Sequence, residues 1–509
     1  MVAIGGVPIC RTRVRGKRTK STARLLVSVA TAVLLASALL LVTVIDSPTL
    51  MSPGVERPNI IFVLTDDQFP GTENEMPALK NNITSKGVEF TSTTSTFPLC
   101  CPARATILRG QYPHNTHLYG NSLPRGGWQK FHGLGLQDST IATWLHDDGY
   151  RTGLFGKYLN GYIAPGIPPG WDRWYAWNGP KQGWTAINDQ GDQKPLKPQE
   201  ADSDTSDAAL RFLSSHLSRS APVFAFVSFG AEHSPYHYAR ADTHEFEGVG
   251  VPRTPAFNEA DVSDKPSYVS DLPRLSEKKV AQMDQDYANG LRSLMRVDHF
   301  IQKASDLLRS KGEMGNTYFV FYTDNGDHFG QHRLTHGKLQ PYQEDTNFPL
   351  IVRGPGIAQG ETNGNLIGNH DIAPTLARMG GASVPAFVDG RSFLPLAKDH
   401  ASTWARTAIL SDRETDAVRP DMWDMLRMGD SNYTRYEDGE KEYYDLRLDP
   451  YQLHNALGPS DSTYPSPDPA IRSYYERRLD ALHACSGHEG RGSCREAEDA
   501  PLLPSGGTP

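Results

Sequence analysis

The stretch Pro58–Gln68, PNIIFVLTDDQ, decides the fold. Its run from Ile60 to Leu64 is apolar at every position and stops on two adjacent carboxylates, Asp66 and Asp67. A strand with one wet face would alternate apolar with polar residues. A run that is apolar on both faces belongs in a parallel sheet covered by helices on each side. Two later stretches repeat the plan: PVFAFVSFGAEHSP (222–235) and NTYFVFYTDNGDH (316–328). Helical patterns lie between them, in DSTIATWLHDDG (138–149) and QDYANGLRSLMRVDHFIQKASDLLRSKG (285–312). The alternation predicts an α/β fold. Such sheets bind ligands beyond the carboxyl ends of their strands, so Asp66, Asp67, His233, Asp324 and Asn325 are predicted to converge on one edge.

Taken singly these signals are weak. An Asp pair after a strand is more often a turn or helix cap, and DNG is a common turn sequence. Their recurrence at one structural position gives them weight. Three aspartates and an asparagine, without a His/Cys ligand cluster, suit a hard cation such as Ca²⁺ or Mg²⁺.

The 509 residues, 38% hydrophobic and 22% charged, suffice for one large domain and a smaller one. The first 24 residues carry seven positive charges and no acidic residue, and a nearly uncharged run from Leu25 to Ile45 follows. This is the pattern of an export signal or of an uncleaved membrane anchor, with the basic leader left in the cytoplasm and the bulk of the protein outside. Of the 51 Lys and Arg, removing those seven leaves 44 against 59 Asp and Glu, a net charge of −15. Nucleic acid is excluded as a partner by that balance.

An extracytoplasmic address permits disulfides. CSGHEGRGSC places Cys485 and Cys494 at the two ends of a short Gly-rich loop, and the pair is expected to be bridged. Cys100 and Cys101 are then left adjacent, a spacing that rarely allows a bridge. In CCPARATILRG (100–110), Pro102 suits the first turn of a helix that runs to Gly110, which puts Cys100 at the positive end of the helix dipole with Arg104 about one turn on.

Cys100-Cys101-Pro102-Ala103-Arg104 resembles the Cys-x-Pro-x-Arg signature of the sulfatase family. The resemblance extends from about Arg57 to Leu457, through PNIIFVLTDDQ, GLFGKYLNGY, AEHSPYH, YTDNGDHFGQHRLTHGKLQPYQED, PLIVRGPG, NHDIAPTLARMGG and EYYDLRLDPYQLHN, in the family's order. CCPAR, GKYLN and DNGDHFGQHR look most like the N-acetylglucosamine-6-sulfatase and arylsulfatase branch.

The resemblance implies an alkaline-phosphatase-like sandwich with a central, mostly parallel sheet, and a smaller C-terminal α+β subdomain. It implies sulfate-ester hydrolysis through Cys100 converted to 3-oxoalanine (formylglycine), whose hydrate offers one hydroxyl to attack sulfur and another to expel sulfate later. A maturation enzyme is then a required partner. The family's single Ca²⁺ would be held by Asp66, Asp67, Asp324 and Asn325 with Cys100 against it. Arg104 matches the residue that steadies the nucleophile, and Lys157, His233 and Lys338 match the positions that bind sulfate and serve the leaving group. Many sulfatases carry a histidine two residues after the equivalent of Lys157. Here Leu159 stands there, so Asn160 and His328 are the candidate substitutes for substrate binding.

The substrate class this implies is a sulfated carbohydrate, such as a 6-O-sulfated glucosamine, or an aryl sulfate. Two rivals remain: a phosphate or phosphonate monoester hydrolase of the same superfamily, and a surface glycan-binding protein without turnover. The expected organisation is a leader with signal or anchor over 1–50, a catalytic domain over 56–395, and a C-terminal subdomain over 396–494. GGASVPAFVDGRSFLPLA (380–397) would be the tether, YTRYEDGEKEYYDL a hairpin about Asp438-Gly439, SYYERRLDALHAC a closing helix, and 495–509 a disordered tail.

Overall fold

Ile60, Phe62 and Leu64 pack on one side of the sheet while Ile61 and Val63 pack on the other, all sealed from solvent. They belong to strand β1 (Asn59–Asp66), whose eight residues are all buried in the computed structural model. That model describes residues 57–179, 185–217, 220–414, 422–459 and 464–502. The basic leader, the apolar run after it and the last seven residues lie outside the described residues, and among the described residues no helix is long and apolar enough to cross a membrane.

Four more strands complete the parallel centre: β2 (Arg151–Gly156), β3 (Arg173–Asn178), β4 (Val223–Glu232) and β5 (Thr317–Thr323). β1 lies between β5 and β4, and β4 is followed by β2 and then β3, every pair parallel. The register places Thr65 beside Thr323, so the carboxyl ends of β1 and β5 finish level and Asp66 and Asp324 leave the sheet together. Five edge strands, among them Leu350–Arg353 and Ala186–Asp189, extend the sheet to ten, with antiparallel pairs at both flanks.

The faces are covered as an apolar centre requires. Helices α2 (Ala201–His216) and α3 (Glu277–Ser310) bring Phe212, Leu213, Leu294, Val297, Phe300 and Ile301 against Ile61, Val63 and Val227. On the other face α1 (Cys100–Arg109) and α4 (Ile372–Gly380) bring Ile107, Leu108, Ile372 and Leu376 against Ile60, Phe62 and Leu64. Each such side chain contributes about 1.5–3 kcal/mol of burial. α1 begins at Cys100, has Pro102 in its first turn, and stops at Gly110 as expected.

Beyond α4 a second sheet of four antiparallel strands forms: β6 (Ala408–Arg413), β7 (Trp423–Met428), β8 (Ser431–Tyr436) and β9 (Lys441–Asp445). The β8–β9 turn carries Gly439, and α5 (Pro469–His483) packs Ile471, Leu479 and Leu482 against Leu410, Leu426 and Tyr433. This sheet is fastened to the segment entering α1, where Ser411 Oγ donates to the carbonyl of Ser95 at 2.7 Å and the Asp412 amide to that of Thr96 at 3.1 Å.

Cys485 and Cys494 are bridged. The chain then departs from the expected disordered tail, because Cys494–Asp499 forms a further helix, α6. Its acidic composition reads as a solvated segment, yet Glu498 is fully buried. It accepts from Tyr112 Oη at 2.7 Å, Arg391 Nη2 at 2.7 Å and Arg406 Nε at 2.9 Å, with His370 Nε2 at 2.8 Å. The carboxylate is a counterion for buried arginines, and the disulfide delivers the helix to them.

Candidate active site

Nine of the residues singled out in the sequence meet at the carboxyl edge of β1 and β5. Asp66 ends β1, and Asp67 follows in a left-handed conformation (φ 55°), which turns the chain so that both carboxylates face the same space. Asp324 and Asn325 directly follow β5, and Gly326 lets the loop fold back so tightly that a Cβ there would lie 1.9 Å from the Glu344 carbonyl. Cys100 enters from the first turn of α1, its Sγ 3.6 Å from Asp66 Oδ1 and 3.9 Å from Asp67 Oδ1.

Cations surround these acids. Lys157 pairs with Asp66, and Lys338 pairs with Asp67 while its Nζ lies 3.0 Å from Cys100 Sγ. Lys157 is aimed by Gly156, which sits at φ 96° and where a Cβ would lie 1.9 Å from the Ser228 carbonyl oxygen. Arg104 Nε lies 2.6 Å from Asp324 Oδ2, and its Nη1 donates to Ser228 Oγ at 2.7 Å and the Lys157 carbonyl at 3.0 Å. His233, at the end of β4, places Nε2 3.5 Å from Asp67 Oδ2. Beside it opens a cavity of about 220 Å³ lined by Trp177, Asp202, Gly230, His233, Pro235 and His237 among others.

The electrostatics follow from this packing. Burial pushes the Asp67 carboxyl up, but Lys338 and His233 outweigh it and hold the group at about 2. Asp66 is likewise held below the usual carboxylate range, with burial opposed by Lys157, His233 and Arg104. Cys100 behaves oppositely. Burial drives its thiol up to about 12 in spite of Lys157 and Lys338. An unmodified thiol here stays protonated and is a poor nucleophile.

The acids also form a cradle of oxygen donors. Asp66, Asp67 and Asp324 are buried oxygen donors, and the buried Asn325 Oδ1 has no hydrogen-bond partner while its Nδ2 donates to Asp67 at 2.7 Å. An oxygen-only set with an unsatisfied amide oxygen fits Ca²⁺.

Two candidates are not drawn into the cluster. Asn160 is buried beside the neighbouring cysteine, its backbone N–H toward the Cys101 thiol and its carbonyl accepting from the Trp128 amide at 2.8 Å. His328 turns its Nδ1 to Asp345 Oδ1 at 2.7 Å. Its backbone pairs with Gly337, Asp345 Oδ2 accepts from the Gln340 amide at 2.6 Å, and Asp327 Oδ1 accepts from Gly337 at 2.9 Å. His328 thereby holds the loop that carries Lys338. Sequence reasoning passed over Ser228, Asp327 and His336. His336 Nε2 lies 2.6 Å from Asp327 Oδ2 and 2.8 Å from Tyr236 Oη, and the only sequence signal for it was a histidine two residues before Lys338.

The family model described as Sulfatase matches residues 58–382, and that described as N-sulphoglucosamine sulphohydrolase, C-terminal, matches 330–465. The chain is 35% identical over 350 residues to a putative extracellular sulfatase Sulf-1 homolog of Caenorhabditis elegans, a match covering 66% of this chain and 49% of the relative, so it spans about half that protein's length. It is 30% identical over 485 residues to the N-acetylglucosamine-6-sulfatase of Capra hircus, covering 85% of each. Among solved structures, BT4656 in complex with its substrate D-glucosamine-2-N,6-O-disulfate superposes with a TM-score of 0.69 at 21% identity, over 88% of this chain and 99% of that one.

Proposed function

The chain belongs to the sulfatase family, and from that premise we propose that it hydrolyses sulfate esters at the cluster around Cys100. The observation that carries the proposal is the convergence of Asp66, Asp67, Asp324, Asn325 and Cys100 with Lys157, Lys338, Arg104 and His233 from six separate segments of the chain. A site with that many cations around one buried side chain is built for a small tetrahedral anion such as a sulfate ester.

When bound by Asp66, Asp67, Asp324 and Asn325, calcium would supply positive charge toward a sulfate oxygen, and 3-oxoalanine at position 100 would supply the nucleophilic hydroxyl that the buried thiol cannot. The remaining roles fall to this chain's own side chains. Lys338 and Lys157 flank Cys100 and neutralise the sulfate oxygens. Arg104 holds Asp324 and thereby fixes the floor of the site. His233, beside Asp67 and in the cavity wall, would give a proton to the departing alkoxide. The cavity itself is where the rest of the substrate would lie, with Trp177 in its wall and Asp202 as a polar anchor.

For the substrate we read a sulfated sugar, a 6-O-sulfated glucosamine first, on the strength of a relative of that activity aligned over 85% of both chains. Export by the basic leader and apolar run agrees with this, since sulfated glycans are extracytoplasmic, and a maturation enzyme would act on Cys100.

Turnover of p-nitrophenyl sulfate against p-nitrophenyl phosphate tests the reaction class, and a clear phosphate preference would move the chain to the phosphate and phosphonate hydrolases. Defined sulfated saccharides test the substrate. Sulfate release from aryl sulfates alone removes the glycan reading, and tight sugar binding with no sulfate release replaces the enzyme by a binding protein.

A further inference from the structure

Away from the catalytic edge, His114, Asp412 and His483 bring one ligand atom each to within 4.8 Å of one another. His114 lies just past α1, Asp412 on β6 and His483 on the last turn of α5. Asp412 is completely buried, and neither of its carboxylate oxygens meets a hydrogen-bond donor. Buried polar groups are almost always satisfied, so a carboxylate with both oxygens unpaired calls for an explanation.

The histidines are oriented for the same purpose. His114 Nε2 lies 3.1 Å from the Cys485 carbonyl, which can only accept, so Nε2 carries the proton. Asn115 does not upset this assignment, because its Nδ2 hydrogens go to Asp389 Oδ2 at 2.8 Å and the same carbonyl at 3.1 Å. Nδ1 of His114 therefore keeps its lone pair, and it is buried without a partner. A ring whose far nitrogen donates to a backbone carbonyl is the usual posture of a metal-ligating histidine. His483 Nε2 lies 3.1 Å from Asp424 Oδ1, and Asp424 is itself oriented by Arg435 Nε at 2.9 Å.

We propose that His114, Asp412 and His483, with Asp424 at the rim, form a second metal site that takes a divalent transition metal of the zinc type. Two imidazoles and a carboxylate are borderline ligands that favour such an ion over calcium, which the oxygen-only catalytic set favours. The side chains of His483 and Asp424 are 24% and 21% exposed, so an ion can enter from solvent while Asp412 closes the inner side. Bound there, it would tie together the turn after α1, the first strand of the C-terminal sheet and the closing helix. The competing explanation is a metal-free cluster in which a protonated His483 serves Asp412 and Asp424.

Full-length protein stripped with a chelator, reloaded with saturating calcium and then titrated with Zn²⁺ separates the two. Elemental analysis after gel filtration should find one equivalent of zinc in the wild type and in Asp67→Asn, and none retained in His114→Ala or His483→Ala. Thermal unfolding should shift upward with Zn²⁺ in the wild type and in Asp67→Asn, and in neither histidine variant. If the histidine variants do not fold, Co²⁺ loading of the wild type decides, since a nitrogen-ligated, four-coordinate cobalt gives a strong visible band. Folded wild type that retains no zinc and shows no cobalt band overturns the site, as does undiminished zinc in a folded His483→Ala.

Discussion

Arg104 Nε lies 2.6 Å from Asp324 Oδ2, and the two side chains are 1% and 0% exposed. Through this pair helix α1, which carries Cys100, is clamped to the end of β5. The same guanidinium reaches Ser228 on β4 and the Lys157 carbonyl after β2, a three-way fork that an ammonium group cannot reproduce. Arg104→Lys should lower kcat/KM by about a hundredfold or more, on the scale of losing one placed charge-stabilising group. Arg104→Met leaves Asp324 buried without its partner and should cost about 3–5 kcal/mol in urea unfolding. Wild-type stability in Arg104→Met would refute the clamp.

Cys100 and Cys101 should separate cleanly. Peptide mass spectrometry of protein made with a maturation enzyme should find the aldehyde at 100 and an intact thiol at 101. Cys100→Ala should abolish turnover, whereas Cys101→Ala, which trims a core contact near Tyr158, should keep most activity and lose about 1 kcal/mol of stability. An aldehyde at 101, or an active enzyme with both thiols, would reverse the assignment of every residue around them.

Chelation should silence the enzyme without unfolding it. Each of these three buried carboxylates already has a protein cation: Lys157 on Asp66, Lys338 on Asp67, Arg104 on Asp324. Activity should therefore vanish in chelator and return with Ca²⁺, while far-UV circular dichroism stays native. Loss of secondary structure in step with activity would show that the cations do not suffice.

Acid should loosen the C-terminal attachment first. Burial raises the pKa of Glu498, but Arg406, His370 and Arg391 outweigh it and hold the group well below its ordinary 4.5. A depressed folded-state pKa means that its stabilisation is present above about pH 4.5 and is lost as pH falls toward the lower folded value. Asp371, held down by Arg406 against its burial, acts in the same direction. Tm should thus drop steeply below about pH 4.5. Glu498→Gln should be less stable by about 3–5 kcal/mol at neutral pH and show a flatter acid limb. An unchanged acid limb in that variant would place the acid-labile group elsewhere.

The parts of the molecule that sequence revealed are those where one local signal decides the outcome. Ile60–Leu64 reads as a strand buried on both faces, and a carboxylate just past the carboxyl end of such a strand lies at the sheet's edge, so the sequence brings Asp66, Asp67, Asp324 and Asn325 together there. The Lys338 loop was opaque because it depends on chain reversal. His332, Arg333 and Leu339 all take positive φ, and that path pairs His328 with Asp345 and His336 with Asp327 across the turn. Glu498 fell within the stretch read as a disordered tail for a related reason: an acidic segment has no local signal for burial until its arginine partners, contributed from residues 391 and 406, are known. The short edge strands were missed because three or four residues carry too little periodicity to recognise.

The 3.0 Å contact of Lys338 with Cys100 spans 238 residues of chain. During synthesis the cysteine is therefore made long before the lysine that will sit on it, before Asp324, and before the β6 strand that secures its entry segment. For that whole interval it is an unguarded thiol on a growing polypeptide; once the last of these elements docks, it is 1% exposed. Any enzyme that must reach Cys100 has a deadline set by translation and folding rather than by its own affinity, and slower elongation between residues 100 and 338 would lengthen the time available to it.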